Sequence, residues 1–276
     1  MKIDSLKKEI VLDTITWSFS SVNLYQTCPK CFYLQYIEKV EKNENAFAQW
    51  GTLMHSILER YLRGEIELYE LPMIYEREYQ KTVTTPFPYN LYVDLNEKYY
   101  DNGIDYLSGL QGLSDEYEII DAEKQVKTDI NGLQFVGYVD LILKNQKTGE
   151  YIIVDHKSKN KFANKREESE YARQLYLYNV AIGKQFGICA NKLVFNMFQA
   201  NGLVVIPRNQ ESEQDAVHWF TGTIRSIQND KKFTDKIVSD YKSKKKKIGE
   251  FEQSDYFCNN ICSCRNHCQR SRCYER

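Results

Sequence analysis

Two short apolar segments end in charged residues that could act together on a phosphodiester. Gly137-Tyr138-Val139-Asp140 carries one carboxylate, and Ile152-Ile153-Val154-Asp155-His156-Lys157 carries a second, followed two residues later by a lysine. The polar run 145–149 between them predicts a hairpin loop, so Asp140 should lie opposite Val154 or Asp155. Two carboxylates that close repel one another unless a cation lies between them.

These residue types predict metal-assisted hydrolysis of a phosphodiester. Asp155 and Lys157 share one face of a strand because side chains alternate along it. A divalent cation held by two carboxylates can polarise a phosphoryl oxygen and activate water. The alternatives are a solvent-facing acid on an edge strand for Asp140 and a simple surface ion pair between Asp155 and Lys157.

Side chains on two predicted helices could join this site. His55 follows Gly51 by one helical turn, where a bare backbone allows close approach to the imidazole; a histidine packed in the core is the alternative. Gln174 and Tyr178 lie on one helical stripe, where they could hydrogen-bond the site or a DNA phosphate. The strand that contains Glu123 could contribute another acid.

The elements that must position these residues are predicted from periodicity and turn residues. Their order of helices, strands, helix, strands and helix predicts an α/β domain with a mixed central sheet. Residues 64–118, which hold three of the five prolines, are predicted to be a helical or irregular insertion. We predict an extended arm at 1–16, helices at 18–40, 47–63, 167–184 and 212–246, and strands at 116–126, 131–144, 151–157, 193–199 and 202–207.

The length allows one large domain or two small ones, and we predict a single soluble domain over residues 1–276. Apolar residues make up 42% of the 276 residues, which is enough for a packed core, and the net charge is −1, so no global basic field attracts nucleic acid. No apolar stretch approaches the length of a membrane span, and the N-terminus lacks the apolar region of a signal peptide. We therefore expect a soluble, cytoplasmic protein.

Eight cysteines in such a chain indicate metal ligands or thiols instead of disulfides. Cys28 and Cys31 have the Cys-x2-Cys spacing that suits tetrahedral zinc with two later cysteines. The tail 257–276 is rich in cysteine, and a shared metal would fix it to the N-terminal helix through Cys28. Cys189 is expected to be a small core residue.

Four short motifs together resemble the PD-(D/E)XK nuclease superfamily. The similarity is greatest to the RecB/AddB-like branch, which includes the CRISPR adaptation nucleases and many phage exonucleases, and it extends from residue 18 to 268. The resemblance implies a restriction-endonuclease-like core. The motifs are Gly51-x-x-x-His55, Gly137-Tyr-Val-Asp140, Val154-Asp155-His156-Lys157 and Gln174-Leu-x-x-Tyr178.

The resemblance also implies roles for individual residues. It implies that His55, Asp140 and Asp155 bind Mg²⁺ or Mn²⁺, that Lys157 is the catalytic lysine, and that Gln174 and Tyr178 support the site. It further implies a [4Fe–4S] cluster, with Cys31 and Cys264 as rival ligands and structural Zn²⁺ as the alternative cofactor. The cluster ligands implied are Cys28, Cys258, Cys262 and Cys268.

The expected activity is a metal-dependent DNA nuclease, specifically an exonuclease acting on single-stranded or end-bearing DNA with low sequence specificity. Recombination, repair or phage DNA processing is the expected setting, with a helicase or recombination protein as partner. A catalytically silent DNA-end or partner-binding module is the alternative, and a zinc-stabilised interaction protein is a third hypothesis. We expect Trp50 and nearby tyrosines to stack on unpaired bases. Predicted contacts to the phosphate backbone come from Lys159, Lys161, Lys165, Arg166 and the lysine-rich run 242–247.

Overall fold

A computed structural model describes residues 5–234, 256–269 and 271, which form parts of two compact units. The larger unit consists of Ala46–Ile130 and Phe135–Val217. The smaller unit consists of the described residues within 1–45, 131–134 and 218–276. In these described ranges, no helix has the length and apolar character needed to span a bilayer.

The larger unit contains one five-stranded mixed sheet, and its strands lie in chain order. The pair β3–β4 is parallel, whereas β2–β3 and β4–β5 are antiparallel. This confirms the predicted mixed sheet flanked by helices. The strands are β1 (Tyr117–Ile130), β2 (Leu133–Asn145), β3 (Tyr151–Lys157), β4 (Ala190–Met197) and β5 (Gly202–Pro207).

Two short connections, one between β1 and β2 and one between β2 and β3, join the first three strands. Asn131 and Gly132 both have positive φ, 54° and 83°, as in the two-residue type I′ hairpins that Asn-Gly favours. The prediction that a strand begins at Asn131 is therefore wrong. Between β2 and β3, the Asn145 side chain accepts the backbone N–H groups of Lys147 and Thr148, which closes the predicted hairpin loop.

Four α-helices lie entirely within the larger unit, and the first and last of them contact strands of the sheet. These are α4 (Ala46–Leu62), α5 (Leu71–Thr82), α6 (Leu95–Gly109) and α7 (Lys165–Phe186). The helix α7 links the parallel strands β3 and β4, and Asn164 caps its first turn by accepting the Glu167 N–H.

Side chains of α4, α5 and α6 share one apolar core, in which Trp50 and Tyr75 are fully buried. A second apolar cluster on the sheet includes Leu141 and Val154, with Leu62 packed against it. Both α5 and α6 lie within 64–118. That this range is an insertion into a single domain over 1–276 stays a prediction.

The smaller unit begins with α1 (Ser5–Thr14), α2 (Phe19–Thr27) and α3 (Pro29–Phe32). The Ser18 side chain accepts the Ser21 N–H and so caps α2. The predicted extended arm at 1–16 is wrong because α1 packs on the smaller unit. Its Lys8 Nζ donates to the carbonyls of Gln228 and Asp230 at 2.8 and 2.6 Å.

The last described helix, α8 (Gln210–Asn229), ends well before the predicted residue 246. The Asp230 carboxylate accepts the backbone N–H groups of Lys232 and Phe233, and Phe233 has a positive φ of 43°. This side-chain turn competes with helical hydrogen bonding and ends the helix. The lysine-rich run 242–247 lies outside the described residues.

Candidate active site

The pairing of β2 with β3 brings Asp140 and Asp155 together. Leu141 pairs with Val154, so Asp140 and Asp155 occupy the next step of the same register. The backbone N–H of His156 donates to Asp140 Oδ2 at 2.6 Å. Asp140 is 8% exposed and Asp155 is 2% exposed, so neither acid faces solvent.

Lys157 lies beside Asp155 and is held by α7. Its Nζ is 2.6 Å from Asp155 Oδ2 and donates to Gln174 Oε1 at 2.8 Å. The Gln174 amide donates in turn to the Tyr178 hydroxyl at 2.9 Å. Thus the three residues that the sequence places on β3 and α7 form one hydrogen-bonded series.

The helix α4 and strand β1 bring a histidine and a third acid to the two aspartates. His55 Nδ1 lies 3.7 Å from Glu123 Oε1 and 3.7 Å from Asp140 Oδ2. Each of these three side chains offers one ligand atom, and these atoms lie within 4.8 Å of one another. Glu123 interrupts the regular strand with a φ of +54°, a conformation that non-glycine residues rarely adopt.

The pKa values of the site reflect burial and crowded charge. Burial and then the charge of Asp155 raise the pKa of Asp140 from 3.8 to about 7. Burial acts to lower the pKa of His55, but the neighbouring carboxylate of Glu123 and the charges of Asp140 and Asp155 raise it overall. Burial lowers the pKa of the neighbouring His156 to about 3, so its imidazole is neutral.

The residues present fit a divalent metal ion. Glu123 and Asp140 supply carboxylate oxygens and His55 supplies an imidazole nitrogen, a donor set that suits Mg²⁺ or Mn²⁺, whereas Asp155 is not part of this close group. Asp155 Oδ2 is buried and forms an ion pair with Lys157, yet it accepts no hydrogen bond from the part of the chain that the structure describes. A buried oxygen of this kind is available to a cation.

Most of the described residues predicted to contact DNA are either paired with acidic side chains or buried. Lys159 is paired with Glu167, Lys165 with Glu168, and Arg166 with Glu170, so much of their charge is balanced locally. Lys161 is exposed. The expectation that Trp50 stacks on bases is wrong, because Trp50 is fully buried and its indole N–H donates to the Tyr75 hydroxyl.

The smaller unit brings early and late cysteines together. Cys31 Sγ lies 3.8 Å from Cys262 Sγ and 3.2 Å from Cys264 Sγ. Cys28 and Cys268 belong to the same cluster, and Cys258 is buried nearby in the π-helix Phe257–Ile261. A cluster of thiols suits a soft metal or an iron–sulfur group.

Cys189 and Cys273 are the remaining two of the eight cysteines. The expectation that Cys189 is a core residue is wrong, because this residue is exposed at the start of β4. Cys273 lies outside the described residues. The choice of Cys28, Cys258, Cys262 and Cys268 as the ligand set stays a prediction, and the sulfurs of the rivals Cys31 and Cys264 lie 3.2 Å apart.

Sequence and structure comparisons bear on this arrangement. A family model of the PD-(D/E)XK nuclease superfamily matches residues 16–269. The crystal structure of a "Putative exonuclease" from Eubacterium rectale is similar at a TM-score of 0.48 and 12% identity, over 92% of this chain and 98% of that chain. Among curated proteins, none matches the chain by sequence.

Proposed function

The chain belongs to the PD-(D/E)XK nuclease superfamily, and we propose that it hydrolyses DNA phosphodiester bonds with the help of a divalent metal ion. One observation carries the proposal: Asp140 and Asp155 are buried next to one another, with Lys157 Nζ 2.6 Å from Asp155. Buried charges of this kind cost stability. A module that only bound DNA ends would gain nothing from retaining them.

We assign the metal to His55, Asp140 and Asp155, as the motifs imply, and add Glu123 as a further ligand candidate. Glu123 qualifies because its carboxylate lies within reach of both His55 and Asp140. When bound there, Mg²⁺ or Mn²⁺ would polarise the phosphoryl group and lower the pKa of a coordinated water.

The protein's own groups orient the reaction. Lys157 places a positive charge beside the acids, where it can stabilise negative charge that develops on the phosphate oxygens. Gln174 fixes the direction of the Lys157 ammonium, and Tyr178 fixes Gln174. The His156 N–H holds Asp140 Oδ2, which limits rotation of that carboxylate.

The substrate is proposed to be single-stranded or end-bearing DNA, degraded by an exonuclease in recombination, repair or phage DNA processing. A helicase or recombination protein is the proposed partner. These assignments are supported by the resemblance of the four motifs to the RecB/AddB-like branch, and the buried site supports only the hydrolytic chemistry.

The cysteine cluster is proposed to hold a structural [4Fe–4S] group, with Zn²⁺ as the alternative. Support comes from the three thiols of Cys31, Cys262 and Cys264, which meet although more than 200 residues separate Cys31 from the other two. Metal analysis and visible absorbance of anaerobically purified protein distinguish iron from zinc. Cys31→Ser should lower the bound metal, and the exposed Cys189→Ser should not.

A nuclease assay tests the proposal directly. Labelled linear and circular DNA, each single- and double-stranded, are incubated with Mg²⁺, Mn²⁺ or chelator. We expect metal-dependent loss of linear DNA, protection of circles, and no activity in Asp155→Ala and Lys157→Ala. Asp121→Asn, which alters an acid paired with Lys124 on β1, is the matched control. Unchanged activity in both site variants, or none in wild-type protein with either metal, would overturn it.

A further inference from the structure

The loop between α5 and α6 presents aromatic side chains to solvent. Tyr89 is 85% exposed and Tyr92 is 91% exposed, the highest values among large hydrophobic side chains in the described residues. Leu91 between them is 72% exposed. Neither tyrosine ring packs on another aromatic ring within the described part of the chain. Exposed apolar groups gathered in one place commonly mark a binding surface.

The base of this loop is fixed to α4. The side-chain oxygen of Gln49 accepts the backbone N–H groups of Thr84 and Thr85, at 3.1 and 2.9 Å. The Phe87 ring packs edge-on against Phe47 at a centroid distance of 5.1 Å. The loop therefore has a rigid base, and Tyr89 and Tyr92 project from it beyond these anchors.

The same helix carries His55 of the candidate active site. Gln49 and His55 are six residues apart on α4, which corresponds to about 9 Å along the helix axis. Stacked nucleotides rise about 3.4 Å each along one strand, so the axial part of the separation between the anchor of the loop and His55 corresponds to about three nucleotides. A strand whose phosphate reached His55 could therefore place neighbouring bases at the loop.

The chemistry of the loop favours bases over phosphates. Residues 83–93 include no charged side chain, whereas phosphate-binding surfaces are rich in lysine and arginine. The loop also curves around a hollow of about 770 Å³ lined by residues 83–96. Aromatic rings stack on any unpaired base, because every base has a flat π face, but not on bases enclosed in a duplex.

We infer that Tyr89 and Tyr92 form a stacking platform for unpaired bases of the DNA strand that enters the active site. This inference rests on the proposed nuclease function and deepens it, because it makes the loop the feature that selects single-stranded ends over blunt duplex. Both tyrosines are positioning residues in this proposal and take no part in the chemistry.

The test uses the full-length protein and four variants. Binding of a labelled 12-nucleotide strand, an abasic strand of equal length and a blunt duplex is measured by anisotropy in chelator, so that nothing is cleaved. The variants are the double changes Tyr89→Ala/Tyr92→Ala and Tyr89→Phe/Tyr92→Phe, the matched exposed control Tyr69→Ala, and Asp155→Ala. Hydrolysis of bis(p-nitrophenyl) phosphate with Mn²⁺ reports the chemistry without bases.

The double alanine variant should bind the single strand at least about tenfold more weakly, because each stacked ring contributes several-fold. Its binding to duplex and to the abasic strand should not change, and the double phenylalanine variant should bind like wild type. Unchanged single-strand binding, or an equal loss on the abasic strand or in Tyr69→Ala, overturns the platform. Loss of bis(p-nitrophenyl) phosphate hydrolysis in Asp155→Ala supports the nuclease independently, so the two proposals can fail separately.

Discussion

Replacing Asp140 by asparagine should stabilise the protein at neutral and alkaline pH when Mg²⁺ and Mn²⁺ are removed. Burial and the charge of Asp155 raise the pKa of Asp140 from 3.8 to about 7. Between these two values the folded protein retains a proton that the unfolded chain has released. The free energy of unfolding therefore falls as pH rises through this window and levels off above about pH 7.

The size of this effect follows from the two pKa values. Each tenfold change in an ionisation constant corresponds to about 1.4 kcal/mol, so ionising Asp140 costs the folded state about 4 kcal/mol above pH 7. Asparagine removes the charge, and its side-chain oxygen can still accept the His156 N–H. Asp140→Asn should then raise the free energy of unfolding by as much as about 4 kcal/mol at about pH 8, and by less than about 1 kcal/mol at about pH 4.

Urea unfolding followed by tryptophan fluorescence measures this difference in buffers passed over a chelating resin. The same titration with Mn²⁺ should favour wild type, since asparagine is the weaker ligand. Asp121→Asn, on the same sheet and half-exposed, should change stability by less than about 0.5 kcal/mol at either pH. If Asp140→Asn is no more stable than wild type at alkaline pH, or gains equally at both pH values, the two buried acids do not repel as described.

Four further replacements are predicted to change activity or stability. Lys157→Met should slow DNA hydrolysis by about 10²–10³-fold while anisotropy shows unchanged DNA binding, because it removes one preorganised charge; equal loss of both would contradict this. Tyr178→Phe removes the hydroxyl that accepts a hydrogen bond from the Gln174 amide. In steady-state kinetics kcat should therefore fall less than in Lys157→Met, with KM unchanged. A wild-type kcat would refute this. Gly137→Ala should cost about 1–3 kcal/mol in urea unfolding, because the added carbon would lie 2.5 Å from the Tyr178 ring. Gly222→Ala in α8, where the added carbon meets nothing within 4 Å, should instead stabilise by about 0.5–1 kcal/mol.

The sequence predicted the parts of the fold that depend on local patterns. The sheet, α4 and α7 were predicted because their apolar periodicity is strong and the loop at 145–149 is short. The strand predicted to begin at Asn131 begins at Leu133, because Asn131 and Gly132 form the hairpin turn itself. An Asn-Gly dipeptide is a strong local signal for such a turn. The sequence did not predict α1, because the helix makes contacts with residues distant in sequence. One example is the hydrogen bond that Lys8 donates to the carbonyl of Gln228.

The site was predicted incompletely for a similar reason. Asp140 and Asp155 meet through a short hairpin, which sequence spacing alone describes. Glu123 lies in β1 and has a positive φ. No residue type in that strand predicts this backbone conformation, so the sequence does not indicate that Glu123 reaches the site. Exposure is also invisible in sequence. Trp50 resembled a stacking residue but is buried, whereas Tyr89 and Tyr92, for which the sequence predicted no role, are the most exposed large hydrophobic side chains among the described residues.

The motifs are physically dependent on one another, which explains why their joint occurrence is informative. Gly137 lacks the side chain that would collide with Tyr178, so Tyr178 can approach β2. The Tyr178 hydroxyl then receives Gln174, which holds Lys157. Lys157 in turn lies against Asp155, and the N–H of the intervening His156 holds Asp140.

A change at any point of this series displaces the next group, so these short motifs act as one geometric constraint and not as separate coincidences. A substitution at Gly137 should therefore impair catalysis through Lys157 without touching the acids. Comparing the Gly137→Ala and Tyr178→Phe single variants with their double variant measures this dependence. If the two effects on kcat multiply as independent changes, the series does not transmit position. If the double variant is no slower than the slower single variant, Gly137 acts on Lys157 through Tyr178.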